Sequence, residues 1–561
     1  MARTVGLGKQ DFEKVISRNN FYIDKTMFIK EWWENDDEVT LITRPRRFGK
    51  TLNMSMTEQF LSLEYADKGD LFKNLSIWKE ERYRRLQGTC PVISLTFADV
   101  KETDFVGARQ KLCMIIKNLY DKYDFLLDSG CLKEGEIEFF RKISPEMPDY
   151  IASYSLKSLS LYLSRYYQKK VIILLDEYDT PLQEAYVSGY WDGMVRFIGN
   201  LFNATFKTNP SLDRAIMTGI TRVSKESVFS ELNNLAVVST TSDMYAECFG
   251  FTESEVYTAL KEYGVEEEMP SVKRWYDGFT FGDRTDIYNP WSILNYLKNK
   301  KLDIYWVNTS SNHLVGKLIR EGSTDVKIIM EDLLSGNAFH TQIDEQIIFQ
   351  QLSNTSSAIW SLLLATGYLK AKRYYFNEIR GKKEYDLAIT NQEIRFMFEQ
   401  MVEGWFSDHI PEYNEFIKAL LSDDREAMNS YMNKVAIATF SYFDTGNRPS
   451  EKAEPERFYH GFVLGLMVDL ADRYIITSNR EIGLGRYDIL LEPCSKKDDA
   501  IILEFKVYNP NEEKTLADTV ASALKQIEDK KYASLLESKG IELGCIRRYG
   551  FAFEGKTVLI G

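Results

Sequence analysis

An apolar run, Val39–Thr43, breaks into Arg44-Pro45-Arg46-Arg47-Phe48-Gly49-Lys50-Thr51, and a helical pattern follows from Leu52. No other stretch constrains the fold as strongly, because a strand feeding a turn and then a helix is the context in which an α/β sheet builds a P-loop. In that reading the backbone N–H groups of Arg47, Phe48 and Gly49, with the helix N-terminus, cradle phosphate oxygens. Lys50 reaches the β- and γ-phosphates, and the Thr51 hydroxyl ligates Mg²⁺. The usual first glycine of G-x-x-x-x-G-K-[ST] is Arg44 here. Taken alone, an ordinary turn with a solvated lysine would read the same way.

A second segment completes the chemistry. Residues 171–175 are five consecutive apolar residues, and Asp176 and Glu177 follow them. Such a run reads as a strand buried on both faces, typical of a parallel sheet. Acids at its C-terminal end sit where open α/β sheets bind ligands. Asp176 would hold the Mg²⁺ shell as a Walker-B aspartate does, and Glu177 would orient and deprotonate the attacking water. The two halves form one chemical unit, with ATP as ligand and its hydrolysis as the reaction. A third strand, 215–220, ends near Thr218, the candidate polar residue between these acids and the γ-phosphate. Arg222 follows it; either it stabilises transition-state charge, in its own subunit or a neighbour's, or it pairs with a nearby acid. Arg44, Arg46 and Arg47 either touch phosphate or nucleic acid or brace the loop through salt bridges.

The C-terminal segment carries an independent constellation. Residues 485–491 read as a strand beginning around Asp488, and 500–507 as a strand that turns Glu504 and Lys506 onto one face. Adjacent antiparallel strands would set Asp488 beside Glu504, close enough to share a divalent cation. Two carboxylates suit Mg²⁺ or Mn²⁺, hard ions that prefer oxygen ligands. Lys506 would position or activate the water that attacks a phosphodiester. Glu456, on a predicted helix 455–470, is a further candidate ligand. Gln526 and Tyr532, on a predicted helix 516–536, form a candidate substrate-side element. The competing reading is an edge hairpin with alternating charges.

With these residues in place the chain resembles bacterial AAA-ATPase-like proteins fused to a C-terminal PD-(D/E)XK nuclease-like domain. The resemblance rests on Tyr22-Ile23-Asp24-Lys25-Thr26, the 44–51 loop, and the 175–182 stretch that contains Asp176, Glu177 and Asp179. It continues through the 218–227 stretch, Trp275-Tyr276-Asp277-Gly278-Phe279, Tyr288-Asn289-Pro290-Trp291-Ser292 and Thr366-Gly367-Tyr368-Leu369. Tyr459-His460-Gly461-Phe462 and the Asp488, Glu504 and Lys506 set complete it. It implies an α/β ATPase core of the additional-strand type with a parallel sheet, a helical lid, and an α/β restriction-endonuclease-like domain. The absent first glycine looks like this family's own form of the loop. The resemblance supplies no substrate.

At 561 residues the chain is too long for one ordinary domain. The expected division is an ATPase domain over 1–250, a mostly helical lid and linker over 251–450, and a nuclease-like domain over 451–561. A short hairpin is expected near 374–389 and a capping-box helix start at 251–256. No apolar run approaches the roughly 20 residues of a membrane span, and the N-terminus lacks the apolar core of a signal peptide. Six cysteines without a C-x-x-C pair, and four dispersed histidines, point to neither a disulfide framework nor a zinc site. A reducing cytoplasm is the expected location. The net charge of −13 argues against a constitutive nucleic-acid coat and makes any contact with DNA or RNA local.

Three functions are consistent with these features: an ATPase coupled to a metal-dependent nuclease; a nucleotide-dependent switch or scaffold whose nuclease-like domain binds nucleic acid or protein without cutting; and an ATPase acting on protein partners. Homo-oligomer formation stays open, since Arg222 fits either subunit.

Overall fold

The computed structural model describes residues 2–222, 229 and 232–306, and, with short interruptions, 315–343, 356–439 and 473–561; between 440 and 472 it describes Val463, Met467 and Leu470. Two compact units result. One comprises Met1–Leu318 with Gly336–Met397, the other Ile319–Ser335 with Phe398–Gly561.

The first unit is organised by a parallel sheet of β1 (Val39–Thr43), β2 (Val92–Thr96), β3 (Val171–Asp176), β4 (Leu212–Gly219) and β5 (Leu235–Val238) in the order β2-β3-β4-β1-β5. β4 is therefore inserted between the loop-bearing strand β1 and the acid-bearing strand β3, which is the additional-strand arrangement. Every residue of β1 and β3 is buried, the expected outcome for strands covered by helices on both faces. On one face Ile42, Ile172, Leu174 and Ile216 pack with Phe28, Trp32, Met56 and Phe60. Each such side chain contributes roughly 1.5–3 kcal/mol by leaving water. The 0 % exposure of β3 up to Leu175 thus holds its C-terminal acids rigidly.

The region expected to be mostly helical also carries two small antiparallel sheets. β6 (Phe251–Thr252), β7 (Phe279–Phe281) and β8 (Arg284–Tyr288) lie in the order β6-β8-β7. β9 (Phe339–Gln342), β10 (Leu369–Asn377) and β11 (Lys382–Ile389) lie in the order β10-β11-β9. Aromatic residues favour the pleated, half-buried surface, and Phe279 and Phe281 find their partner in the Phe48 ring at 4.8 and 5.5 Å. The capping box is present: the Thr252 hydroxyl accepts from Glu255 N, and Glu255 reaches back to Thr252 N.

The second unit holds a mixed sheet of β12 (Tyr474–Ser478), β15 (Ile489–Pro493), β16 (Ala500–Val507), β17 (Ile546–Glu554) and β18 (Thr557–Ile560) in that order, beside a short pair, β13 (Glu481–Ile482) and β14 (Gly485–Arg486). The strand expected over 485–491 is thus two pieces, β14 and β15. Only β16 and β17 run parallel, joined through helices Leu516–Asp529 and Ala533–Ser538. The single helix expected over 516–536 breaks because Lys531 is left-handed at φ 52°, and Tyr532 N then donates back to Ile527 O. That turn returns the Tyr532 ring to the core. Of the predicted helix 455–470, Val463, Met467 and Leu470 are described and buried; Glu456 and the 459–462 motif lie outside the described residues.

Candidate functional site

The loop between β1 and the helix Lys50–Leu61 is shaped by two left-handed residues, Arg47 at φ 67° and Gly49 at φ 83°. A Cβ on Gly49 would meet open space, so glycine serves the backbone angle there and not the fit. Left-handed turns of this kind bring successive amides together over an anion. Lys50 is 3 % exposed. Its ammonium donates to Arg44 O at 3.1 Å and Pro45 O at 3.2 Å and stands 3.4 Å from the Glu177 carboxylate.

Arg44 is fully buried and turned away from the loop's hollow. It donates to the carbonyls of Thr43, Ser239 and Met244 at 3.1, 2.5 and 3.0 Å and lies over the Phe281 ring at 4.3 Å. Burial lowers its guanidinium to about 9. Of the roles open to the three arginines, Arg44 braces the loop, through backbone carbonyls and not through salt bridges. Arg46 and Arg47 line a cavity of about 510 Å³ with Gly49, Lys50, Thr51 and Glu177. The Arg47 guanidinium also lies 4.7 Å from the Trp291 ring.

The acids meet the loop across the sheet. Thr51 Oγ1 donates to Asp176 Oδ2 at 2.7 Å, and Thr218 Oγ1, from the intervening strand β4, donates to Asp176 Oδ1. Burial, and then the neighbouring Glu177, raise Asp176 above the usual carboxylate range; the two hydroxyls pull it back. A hydroxyl and a carboxylate at hydrogen-bond distance, with ionisation disfavoured in the absence of a counter-charge, fit a hard divalent cation. Glu177 itself adopts φ 53°, a strained angle for a side-chain-bearing residue.

One member of this set was not singled out from the sequence. Asp179 is fully buried and accepts from Ile220 N, Thr221 N and Thr221 Oγ1 at 3.0, 2.8 and 2.8 Å. Together with Tyr178, whose hydroxyl donates to Thr221 O at 2.7 Å, it ties the acid-bearing segment to the turn after β4. Gly219 permits this, since a Cβ there would lie 2.6 Å from Asp179 Oδ1. The available signal was a second aspartate three residues beyond Asp176. Arg222, just past that turn, lines a separate cavity of about 50 Å³ with Phe229 and Leu232.

In the second unit the antiparallel register pairs Ile489 with Leu503, so Asp488 and Glu504 face each other one step further on. Asp488 Oδ2 accepts from Phe505 N at 2.7 Å. Glu504 is 2 % exposed and accepts from Gln526 Nε2. Gln526 comes this close because Gly550, beside Glu504 in β17, leaves room for the helix Leu516–Asp529; a Cβ on it would lie 2.8 Å from Val520 O. Lys506 follows Glu504 on the same face and is partly exposed. Burial, and then Glu504, push the Tyr532 hydroxyl up to about 12. Two carboxylates on facing strands offer hard oxygen donors whose remaining positions water can fill, which suits Mg²⁺ or Mn²⁺. Among the described residues no group of three or more His, Cys, Asp or Glu gathers as a metal site, and no helix is long and apolar enough to cross a membrane.

Residues 6–229 match the family model of a predicted AAA-ATPase, and residues 454–561 match that of the PD-(D/E)XK nuclease superfamily. A protein of Azotobacter chroococcum mcd 1, named "Uncharacterized protein in vnfD 5'region", is 23% identical over 547 residues, covering 95% of this chain and 94% of its own length.

Proposed function

From a chain that joins an AAA-ATPase-like domain to a PD-(D/E)XK nuclease-superfamily domain, we propose an ATP-hydrolysing protein coupled to metal-dependent cleavage of nucleic-acid phosphodiesters. The division at about 250 and 450 into ATPase, lid and nuclease-like parts belongs to this proposal. The observation that carries it is the convergence of Lys50, Thr51, Asp176 and Glu177 from the ends of β1 and β3.

In this reading the amides of Arg47, Phe48 and Gly49 and the Lys50 ammonium hold the triphosphate, with Lys50 exchanging its carbonyl partners for phosphate oxygens. Thr51 and Asp176 hold Mg²⁺, which when bound offsets the charge that builds on the phosphates. Glu177 orients the attacking water and takes its proton. Thr218 fixes the Asp176 carboxylate. In the nuclease-like domain Asp488 and Glu504 hold the divalent cation, Lys506 orients water, Gln526 positions Glu504, and Glu456 is a further candidate ligand. Arg222 is assigned to transition-state charge stabilisation, in its own or a neighbouring subunit. The substrate is DNA or RNA, and the protein works in the cytoplasm.

The alternative is a nucleotide-dependent scaffold that binds nucleic acid or protein without cutting; the net charge of −13 favours protein as the partner. Incubation of mixed DNA and RNA substrates with Mg²⁺ or Mn²⁺, with and without ATP and beside Glu504→Ala, separates the two. Metal-dependent cutting that the variant loses and ATP alters is the expected result. No cutting by protein that still hydrolyses ATP selects the scaffold.

A further inference from the structure

The β10–β11 hairpin runs against the character of the rest of the chain. Over its described residues it carries five basic residues, Lys370, Lys372, Arg373, Lys382 and Lys383, against three acids, Glu378, Glu384 and Asp386, in a protein of net charge −13. β10 is the edge of its sheet, and it exposes Tyr374 by 51 %, Tyr375 by 40 % and Phe376 by 55 %. Three consecutive exposed aromatics on an edge strand run against the devices that blunt edges, such as charge, proline and bulges.

The two faces of the hairpin differ. On one, His340 Nδ1 lies 2.8 Å from Asp386 and its Nε2 3.1 Å from Glu384, and Tyr375 OH donates to Asp386 at 2.9 Å. The carboxylates there are held within the protein. On the other, Tyr374 pairs across with Tyr385 and Phe376 with Lys383, and the Tyr374 ring packs 5.1 Å from that of Tyr385. Tyr374 and Phe376 are two residues apart on this face, so their rings recur along the strand with lysine beside them. Lys372 lies at the bulge after Ala371, whereas Arg373 pairs with Asp386 on the carboxylate side.

We propose that this face of the β10–β11 hairpin is a docking surface for single-stranded nucleic acid, with Tyr374 and Phe376 stacking bases and Lys372 and Lys383 following the phosphates. Stacking platforms combined with local positive charge bind single strands with little sequence preference. Two lysines beside the rings make the contact local, which reconciles nucleic-acid binding with an acidic protein. The proposal rests on the reading that a nucleic acid is the substrate, and it places a binding element outside the nuclease-like domain. A protein partner would use the same aromatics but has no need of the basic residues, so nucleic acid is the favoured occupant.

Fluorescence anisotropy with the full chain in EDTA, using labelled oligo-dT and oligo-U against duplex DNA at two salt concentrations, tests it. The variants are Tyr374→Ala/Phe376→Ala and Lys372→Glu/Lys383→Glu, with Phe376→Trp as the conservative replacement. The aromatic pair is expected to weaken single-strand binding about tenfold or more. The charge reversal should weaken binding and flatten its salt dependence, while Phe376→Trp retains it. Thermal melting should be unchanged, because these side chains are exposed. Variants that bind as the parent does, or a parent that binds neither oligonucleotide, overturn the proposal. Unchanged binding with cutting intact removes this surface and keeps the nuclease. Hairpin-dependent binding without cutting in Mg²⁺ keeps the surface and removes the nuclease.

Discussion

Thr51 donates to Asp176 at 2.7 Å across 125 residues of sequence. The bond spans the sheet from the β1 end to the β3 end, over β4, and β4 supplies Thr218 to the other carboxylate oxygen. Asp176 is therefore held from both sides by hydroxyls that favour its charged form, against burial and the adjacent Glu177.

Removing one of those hydroxyls should be felt in the pH profile. Thr218→Val leaves Asp176 with one donor fewer to its ionised form, so its pKa rises further. ATP hydrolysis is expected to fall by about one to two orders of magnitude. At subsaturating Mg²⁺ the acid limb of the rate profile moves to higher pH, because a less acidic carboxylate loses the cation to protons sooner. A steady-state profile between pH 5 and 9 checks this, and an unmoved limb contradicts the assignment.

Glu177 sits at φ 53°, an angle that costs a side-chain-bearing residue roughly 1–2 kcal/mol. Glu177→Gly is expected to stabilise the protein by about 1 kcal/mol while abolishing hydrolysis. Glu177→Gln, which keeps the strain, should lose hydrolysis and still bind ATP. Denaturant melts and nucleotide titrations of both variants decide it.

Arg44 occupies the position of the usual first glycine, and restoring that glycine should do harm. Arg44→Gly leaves the carbonyls of Thr43, Ser239 and Met244 without their donor and empties the space beside Phe281. A loss of about 3 kcal/mol or more is expected, read as a lower melting temperature with weaker ATP binding.

Asp277 is buried beside Asp286, and burial raises its carboxyl to about 7. Between about pH 4 and 7 the unfolded chain releases this proton while the folded one keeps it, so its contribution to stability falls as pH rises across that window and is constant above it. Asp277→Asn removes the dependence. The variant should gain on the order of 2 kcal/mol at pH 8 relative to pH 4, measured by urea melts at both. An equal difference at the two pH values contradicts the raised carboxyl.

Local chemistry was legible in the sequence wherever it depended on neighbours along the chain. The apolar run ending in Asp176 and Glu177 announced a strand buried on both faces, and Gly49-Lys50-Thr51 announced the turn into a helix. The alternation of Glu504 and Lys506 put both on one face, and the capping box at Thr252 followed from a three-residue spacing. Each of these rests on the short periods of strand and helix, which a sequence displays directly. What needed the fold was every contact between distant segments: the insertion of β4 that brings Thr218 to Asp176, the burial of Arg44 on the carbonyls of Ser239 and Met244, and the Asp179 tie to the turn after β4. The same holds for the left-handed Lys531 that returns Tyr532 toward Glu504, and for Gly550, which lets Gln526 reach that carboxylate. Strand order and helix approach arise from how buried faces pack, and packing is set by shape in three dimensions, which no spacing along the chain records.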